Sequence, residues 1–237
     1  MNTLVQTISL ERLALMAIPV GAVLLIFLRW SLQARSIVYA TFRMVGQLIL
    51  VGFLLTTIFE AEHAALICAV LMIMLAFASW IALRPIPARR RQLLWFSFIS
   101  LFIGCMSILF LVTCGVLEIF PWEHPRYVIP LAGMIFANAM TTISLGADRF
   151  FTEMEAHHDY LLARRKSFET SLIPIINTFF AVGIVSLPGM MTGQILAGVD
   201  PLMAIRYQIL VMCMLLGGSG ISCAIFLSLL KDKVISA

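Results

Sequence analysis

Apolar residues fall into seven long runs, and polar residues gather in the gaps between them. The runs cover residues 9–28, 37–59, 64–83, 93–116, 127–147, 172–199 and 204–230. Each is long enough for the roughly 17–25 apolar residues that a helix needs to cross a bilayer. The pattern predicts an all-α polytopic membrane protein with about seven transmembrane helices. Charge in the gaps sets the orientation. Arg29 and Arg35 lie in the first gap, Arg84, Arg89, Arg90 and Arg91 in the third, and Arg149, Arg164, Arg165 and Lys166 in the fifth. Lys231 and Lys233 follow the last run, whereas Arg12, near the start of the first run, and Arg126 are the only Lys/Arg residues on the other side. Cytoplasmic loops carry the Lys/Arg excess, so the N-terminus is expected outside and the C-terminus in the cytoplasm.

The sixth run breaks the pattern. Its 28 residues would make about 42 Å of helix, more than the ~30 Å hydrocarbon core requires. Within it stands "VSLPGMMTGQILAGVDP", residues 185–201. Proline cannot donate to the helix ladder and clashes with the preceding turn; glycine relaxes the backbone. A span over 172–187 followed by a half-helix over 190–198 is expected, with Pro188 and Gly189 as hinge or gate. Breaks of this kind can expose backbone groups to cargo in transporters. A kink satisfied by neighbouring helices is the plainer reading.

The longest polar connection, "DRFFTEMEAHHDYLLARRKSFETS" at 148–171, has no Gly or Pro. Its apolar residues recur at helical spacing, which predicts an amphipathic cytoplasmic helix continuing from the fifth run. No repeat divides the chain, so residues 1–237 read as a single membrane domain.

Composition agrees: 62% of residues are hydrophobic, 12% are charged, and mean hydropathy is +1.04. Lipid must cover that surface. The net charge of +4 does not indicate a nucleic-acid partner, because the basic residues mark loops rather than one soluble face. Cys68, Cys105, Cys114, Cys213 and Cys223 all sit in apolar runs without a C-x-x-C pair. They are expected to be buried thiols. The first run lacks a small-x-small cleavage pattern and is expected to remain as a span.

Candidate chemistry is sparse. "GGSG" at 217–220 matches a motif of intramembrane serine proteases, but His63, His124, His157 and His158 all lie in loops. With no base for Ser219, small residues for close helix packing are the better reading. There is no metalloprotease motif and no phosphate loop, so the chain is expected neither to hydrolyse ATP nor to bind a cofactor itself. His157-His158 beside Glu155 and Asp159 reads as a solvated face. Polar residues inside spans remain: Arg43 and Gln47 on one helical face, Asn138, Asn177-Thr178 and Ser186. Such residues are functional candidates by default, although helix-to-helix hydrogen bonding accounts for them equally well. Met134, Met140, Met190 and Met191 offer thioethers to a soft metal, with core packing the plainer role.

"VIPLAGMIFANAM" (128–140), "SLIPIINTFFAVGIVSLPGMMTGQILAGVDPLMAIRYQI" (171–209) and "RMVGQLILVGF" (43–53) together resemble the FetB-type iron-export ABC transporter permease family. The resemblance implies a permease subunit, a homodimer in the inner (plasma) membrane, working with a separate ATP-binding subunit that consumes the ATP. It implies export of iron or another metal-related solute; related plant subunits make a nucleotide sugar an alternative cargo. On this reading Arg43, Gln47, Asn138, Asn177, Thr178, Ser186, Met190 and Met191 line the translocation path, and Glu153, Glu155, Arg164 and Arg165 meet the ATPase. The chain departs from the family in Ala137, where Gly is common, and in "EAHHDYLLARRKSFETSLIP" (155–174), which lacks the Gly turn expected before the ATPase-coupling segment. A stand-alone channel or secondary transporter is the rival class. It would need ionisable groups at mid-membrane, and the apolar runs place none there.

Overall fold

The computed structural model describes residues 8–59, 64–119 and 124–235. Glu60, Glu62, His63 and Glu123 lie outside the described residues. Helices form throughout, because in hydrocarbon a backbone must satisfy its own hydrogen bonds. The chain divides into two compact units, residues 1–61 and 62–237.

In the first unit, a short α1 (Leu10–Ala14) is capped by Ser9, whose hydroxyl accepts from the Arg12 N–H at 3.4 Å. α2 (Ala17–Arg29) follows after a one-turn irregularity, and Ser31, at φ 55°, reverses the chain into α3 (Ala34–Phe59). Both long helices are apolar around most of their circumference, as expected of helices that meet lipid or other membrane helices.

The second unit holds α4 (Ala64–Ala82), α5 (Arg90–Phe110), α6 (Pro125–His157), α7 (Tyr160–Ala181), α8 (Gly189–Leu196) and α9 (Pro201–Ile235). A 3₁₀ turn at Pro87–Arg89 leads into α5, which widens at its end into a π-helical turn, Leu111–Val116. α9 is the central helix and packs against α5, α6, α7 and α8. Between lipid-embedded helices the hydrophobic effect supplies little; close packing and interhelical hydrogen bonds hold them together. Small residues permit that packing. A Cβ on Gly104 of α5 would lie 2.7 Å from the Ser222 backbone nitrogen of α9, and one on Gly146 of α6 would lie 3.0 Å from Cys223 Sγ. A side chain on Gly218 would collide with Ile135. Hydroxyls join the helices: Ser144 donates to the Ala82 carbonyl at 2.6 Å and Ser97 to the Ser79 carbonyl at 3.3 Å. Two thiols take part, Cys105 beside Ser222 at 3.4 Å and Cys223 beside Ser171 at 3.3 Å.

All five cysteines are free, as expected, but only Cys105 and Cys223 are buried; Cys68 and Cys213 are exposed. Ser219 is fully buried among these small residues, as a packing role requires.

Among the described residues, six helical stretches are long and apolar enough to cross a membrane: Leu10–Arg29, Ala34–Phe53, Ala64–Ala82, Pro87–Val116, Pro125–His157 and Pro201–Lys231. The expected sixth run, 172–199, is divided between the end of α7, a turn and the eight residues of α8. α6 and α9, with 33 and 35 residues, are each about 50 Å long. Both exceed the hydrocarbon thickness by about 20 Å.

Candidate functional site

The break in the sixth run begins earlier than Pro188. α7 ends at Ala181, whose carbonyl accepts N–H groups from Ile184, Val185 and Ser186 at 3.3, 2.8 and 3.1 Å. Gly183 takes φ 84° and donates to the Ser186 carbonyl at 3.0 Å. A residue with a Cβ is strained in that left-handed conformation, so the turn forms where glycine allows it. Pro188, at φ −63°, is the N-cap of α8 and Gly189 is its first residue. The Pro188 carbonyl accepts both the backbone N–H and the hydroxyl of Thr192, at 3.0 and 3.1 Å. The expected hinge residues thus start a helix, and the irregular backbone lies before them. α8 ends at Leu196, and Gly198, at φ 89°, turns the chain just beyond it. Asp200 then caps α9, its Oδ1 accepting from Leu202 and Met203 at 2.9 and 3.3 Å, with Pro201 at the first helical position, where its missing N–H costs nothing.

A cavity of about 480 Å³ lies between this break and α9, lined by Phe179, Val182, Pro188, Met191, Gln208 and neighbouring apolar side chains. A second, of about 490 Å³, brings Met134 and Met190 together with Met203, Arg126, Tyr207 and Gln194. The Oε1 atoms of Gln194 and Gln208 are buried without a hydrogen-bond partner among the described residues.

Other predicted path residues do not converge on these cavities. Asn138 is exposed and donates to the Met134 carbonyl of its own helix at 3.0 Å; Thr178 does the same to Pro174 at 2.9 Å. Asn177 and Ser186 are exposed. Arg43, half-buried, and Gln47, exposed, stand one turn apart on α3 in the first unit. Gln208 was missed from sequence, although it is a lone polar residue inside a span, the same signal that singled out Gln47.

The polar connection forms a second functional candidate. It is a helical hairpin rather than one continuous helix. His158 takes φ 54° and supplies the reversal without glycine. Asp159 caps α7, its Oδ1 accepting from Leu161 and Leu162 at 2.8 and 3.2 Å. The hairpin closes around Glu153, which is only 4% exposed. Glu153 accepts from Lys166 Nζ at 2.9 Å, pairs with Arg149 one turn back, and lies 3.6 Å from His157 Nε2. The Lys166 hydrogen bond and the charges of Arg149, Lys166 and His157 hold its carboxyl below the ordinary 4.5, against an opposing effect of burial.

Phe150 packs edge-on against Tyr160, and the Tyr160 hydroxyl donates to the Leu227 carbonyl of α9 at 3.1 Å. Glu153 is therefore internal to the hairpin, whereas Glu155, Arg164 and Arg165 are exposed. Arg164 and Arg165 border a groove of about 470 Å³ between α7 and α9, with Leu161, Phe168, Leu227 and Ser228. Among the described residues no cluster of His, Cys, Asp and Glu has metal-binding geometry.

Comparison with known proteins adds a family. The model described as "Uncharacterised protein family (UPF0014)" matches residues 10–235. The chain is 37% identical over 198 residues to the UPF0014 membrane protein slr1647 of Synechocystis, covering 76% of each protein. It is 33% identical to the "Probable iron export permease protein FetB" of Escherichia coli, covering 92% of this chain and 88% of that protein. It is 30% identical to the protein ALUMINUM SENSITIVE 3 of Arabidopsis thaliana, covering 88% and 80%. No solved structure matches the chain.

Proposed function

Because the chain belongs to the UPF0014 family of multi-pass membrane proteins, we propose that it is the membrane-spanning permease subunit of an ABC transporter. The cargo on this reading is iron or another metal-related solute, exported with energy from a separate ATPase subunit. The observation that carries the proposal is similarity along nearly the whole chain to a protein named as a probable iron export permease. The helical hairpin at 148–171 supports it, because a permease needs a rigid element to receive motion from its ATPase.

Two copies would form the path in the inner membrane. The α7 end, turn and α8 would serve as a seventh, discontinuous crossing, with the N-terminus outside and the C-terminus in the cytoplasm. Binding of ATP by the partner would shift the population between inward- and outward-open forms. Arg164 and Arg165, at the rim of the α7–α9 groove, and the exposed Glu155 are the ATPase-contact residues. Glu153 serves them from inside by holding the hairpin rigid. Arg43, Gln47, Asn138, Asn177, Thr178, Ser186, Met190 and Met191 remain the proposed path residues.

The test is a pull-down from gently solubilised membranes with this chain as bait and mass spectrometry as the readout. A stoichiometric ATPase carrying a phosphate loop is expected, and its loss is expected for the Arg164→Glu, Arg165→Glu double variant. Recovery of the chain with no ATPase would overturn the proposal and favour a stand-alone transporter.

A further inference from the structure

The cavity beside the helix break is lined by one buried amide in an uncharged wall. Gln208, on α9, is only 6% exposed, and its Oε1 lies buried without a hydrogen-bond partner among the described residues. Buried amide oxygens are almost always paired, because leaving one desolvated is costly. The surrounding wall is apolar: Phe179, Val182, Leu187, Ile209 and Met212. No acidic, basic or histidine side chain lines it.

Those surroundings select a ligand class. A hydrated cation entering would exchange its water shell for one amide oxygen, the thioethers of Met191 and Met212 and the Cys213 thiol, all of them neutral, so no charge offsets its desolvation. An anion would meet no positive charge. A neutral molecule with an apolar body gains from the walls, and a hydroxyl or N–H on it can donate to the Gln208 oxygen once the amide turns to present that oxygen, now covered, to the cavity. The volume of about 480 Å³ falls within the range of small-molecule sites.

We propose that the cavity between the 182–188 turn and α9 is a binding site for a neutral, largely apolar small molecule that donates one hydrogen bond to Gln208. The site shares Met191 with the proposed path but needs no partner subunit. Its closeness to the turn means that an occupant would contact Val182 and Pro188 directly, bracing the irregular segment.

Cys213 provides the readout, since it lines the same cavity and is exposed. Replacing Cys68 and Cys114 by Ala leaves Cys213 as the accessible thiol, because Cys105 and Cys223 are buried. The full chain, purified in detergent, is treated with N-ethylmaleimide, and alkylation is followed by intact mass. The probes are 1-naphthol, which carries a donor, and 1-methoxynaphthalene, which does not. The expected result is that 1-naphthol protects Cys213 at about five- to tenfold lower concentration, the worth of one buried hydrogen bond. Simple partitioning into the micelle would favour the methoxy compound instead. In Gln208→Leu the two probes should protect alike. Equal protection with Gln208 present, protection by neither probe, or a preference that survives Gln208→Leu would each overturn the proposal. The assay uses neither ATPase nor nucleotide, so its failure leaves the permease reading standing, and the pull-down can fail without affecting it.

Discussion

Gly104 marks the closest approach of α5 to the central helix, and adding a single methyl there should force the two apart. A Cβ at Gly104 would stand 2.7 Å from the Ser222 nitrogen and 2.8 Å from its Cα. Ordinary contacts between such atoms begin near 3.5 Å, so the helices must separate by about 0.7–0.8 Å. The obstruction is backbone, which no rotamer change can move aside. A gap of that size forfeits about a quarter to a half of each dispersion contact along the seam, and overpacking typically costs about 1–3 kcal/mol. Gly104→Ala is expected at the upper end, near 3 kcal/mol, which lowers the Tm of a chain this size by about 6–12 °C.

Gly220 is the internal control, because a Cβ there meets nothing within 4 Å. Gly220→Ala relieves the backbone entropy of glycine and should leave Tm unchanged or raise it by a few degrees, given a propensity gain of up to about 1 kcal/mol. Thermal unfolding of both variants in one detergent, followed by intrinsic fluorescence, makes the comparison. If the two transitions fall within about 2 °C of each other, the close α5–α9 contact is not what the geometry says it is.

The hairpin should also be pH-sensitive with a definite sign. Glu153 has its pKa lowered from the ordinary 4.5 in the folded chain. Its stabilising effect is therefore fully present above that ordinary value and is lost as pH falls through the lowered one. Thermal unfolding from pH 7 to pH 3 should show a loss at the acid end that Glu153→Gln largely removes; an unaltered acid profile in the variant would assign the effect to other groups. At the break, Pro188→Ala releases a fixed φ and, on the proposed permease function, should lower export about two- to fivefold, from the 0.4–1 kcal/mol that such a change typically redistributes, with membrane expression intact. Cells loaded with the cargo metal provide the efflux assay, and unchanged efflux would reduce Pro188 to a packing residue.

The helices of this chain were legible because lipid imposes one requirement on every spanning segment. Runs such as 64–83 and 204–230 show it in apolar length alone. The glycine and serine contacts of α9 were also legible, since small residues at four-residue spacing have one dominant use in a membrane. The hairpin was not. Its reversal rests on His158 in a left-handed conformation, which a non-glycine residue adopts only when its surroundings impose it. Without that turn, Glu153 and Lys166 are thirteen residues apart and read as two solvated charges. With it they become an internal pair, and Glu153, expected at an exposed contact surface, is buried inside the hairpin.

The helix break shows the same limit from the other side. Pro188 drew attention because proline ends helices, yet helix can precede a proline for many residues, so its position bounds the break without locating it. The location is decided by which residue can reverse the chain at low cost and which acceptor can receive the freed N–H groups. Gly183 does the first, and the carbonyls of Ala181 and Ser186 do the second, taking in the donors of residues 183–186. A turn that consumes its own donors can exist where water is scarce. It ends α7 at Ala181, and Val182, Gly183, Leu187 and Pro188 of the segment that follows border the cavity beside Gln208. A substitution that moved the break, such as a β-branched residue at Gly183, would therefore be expected to reshape the cavity that this segment lines.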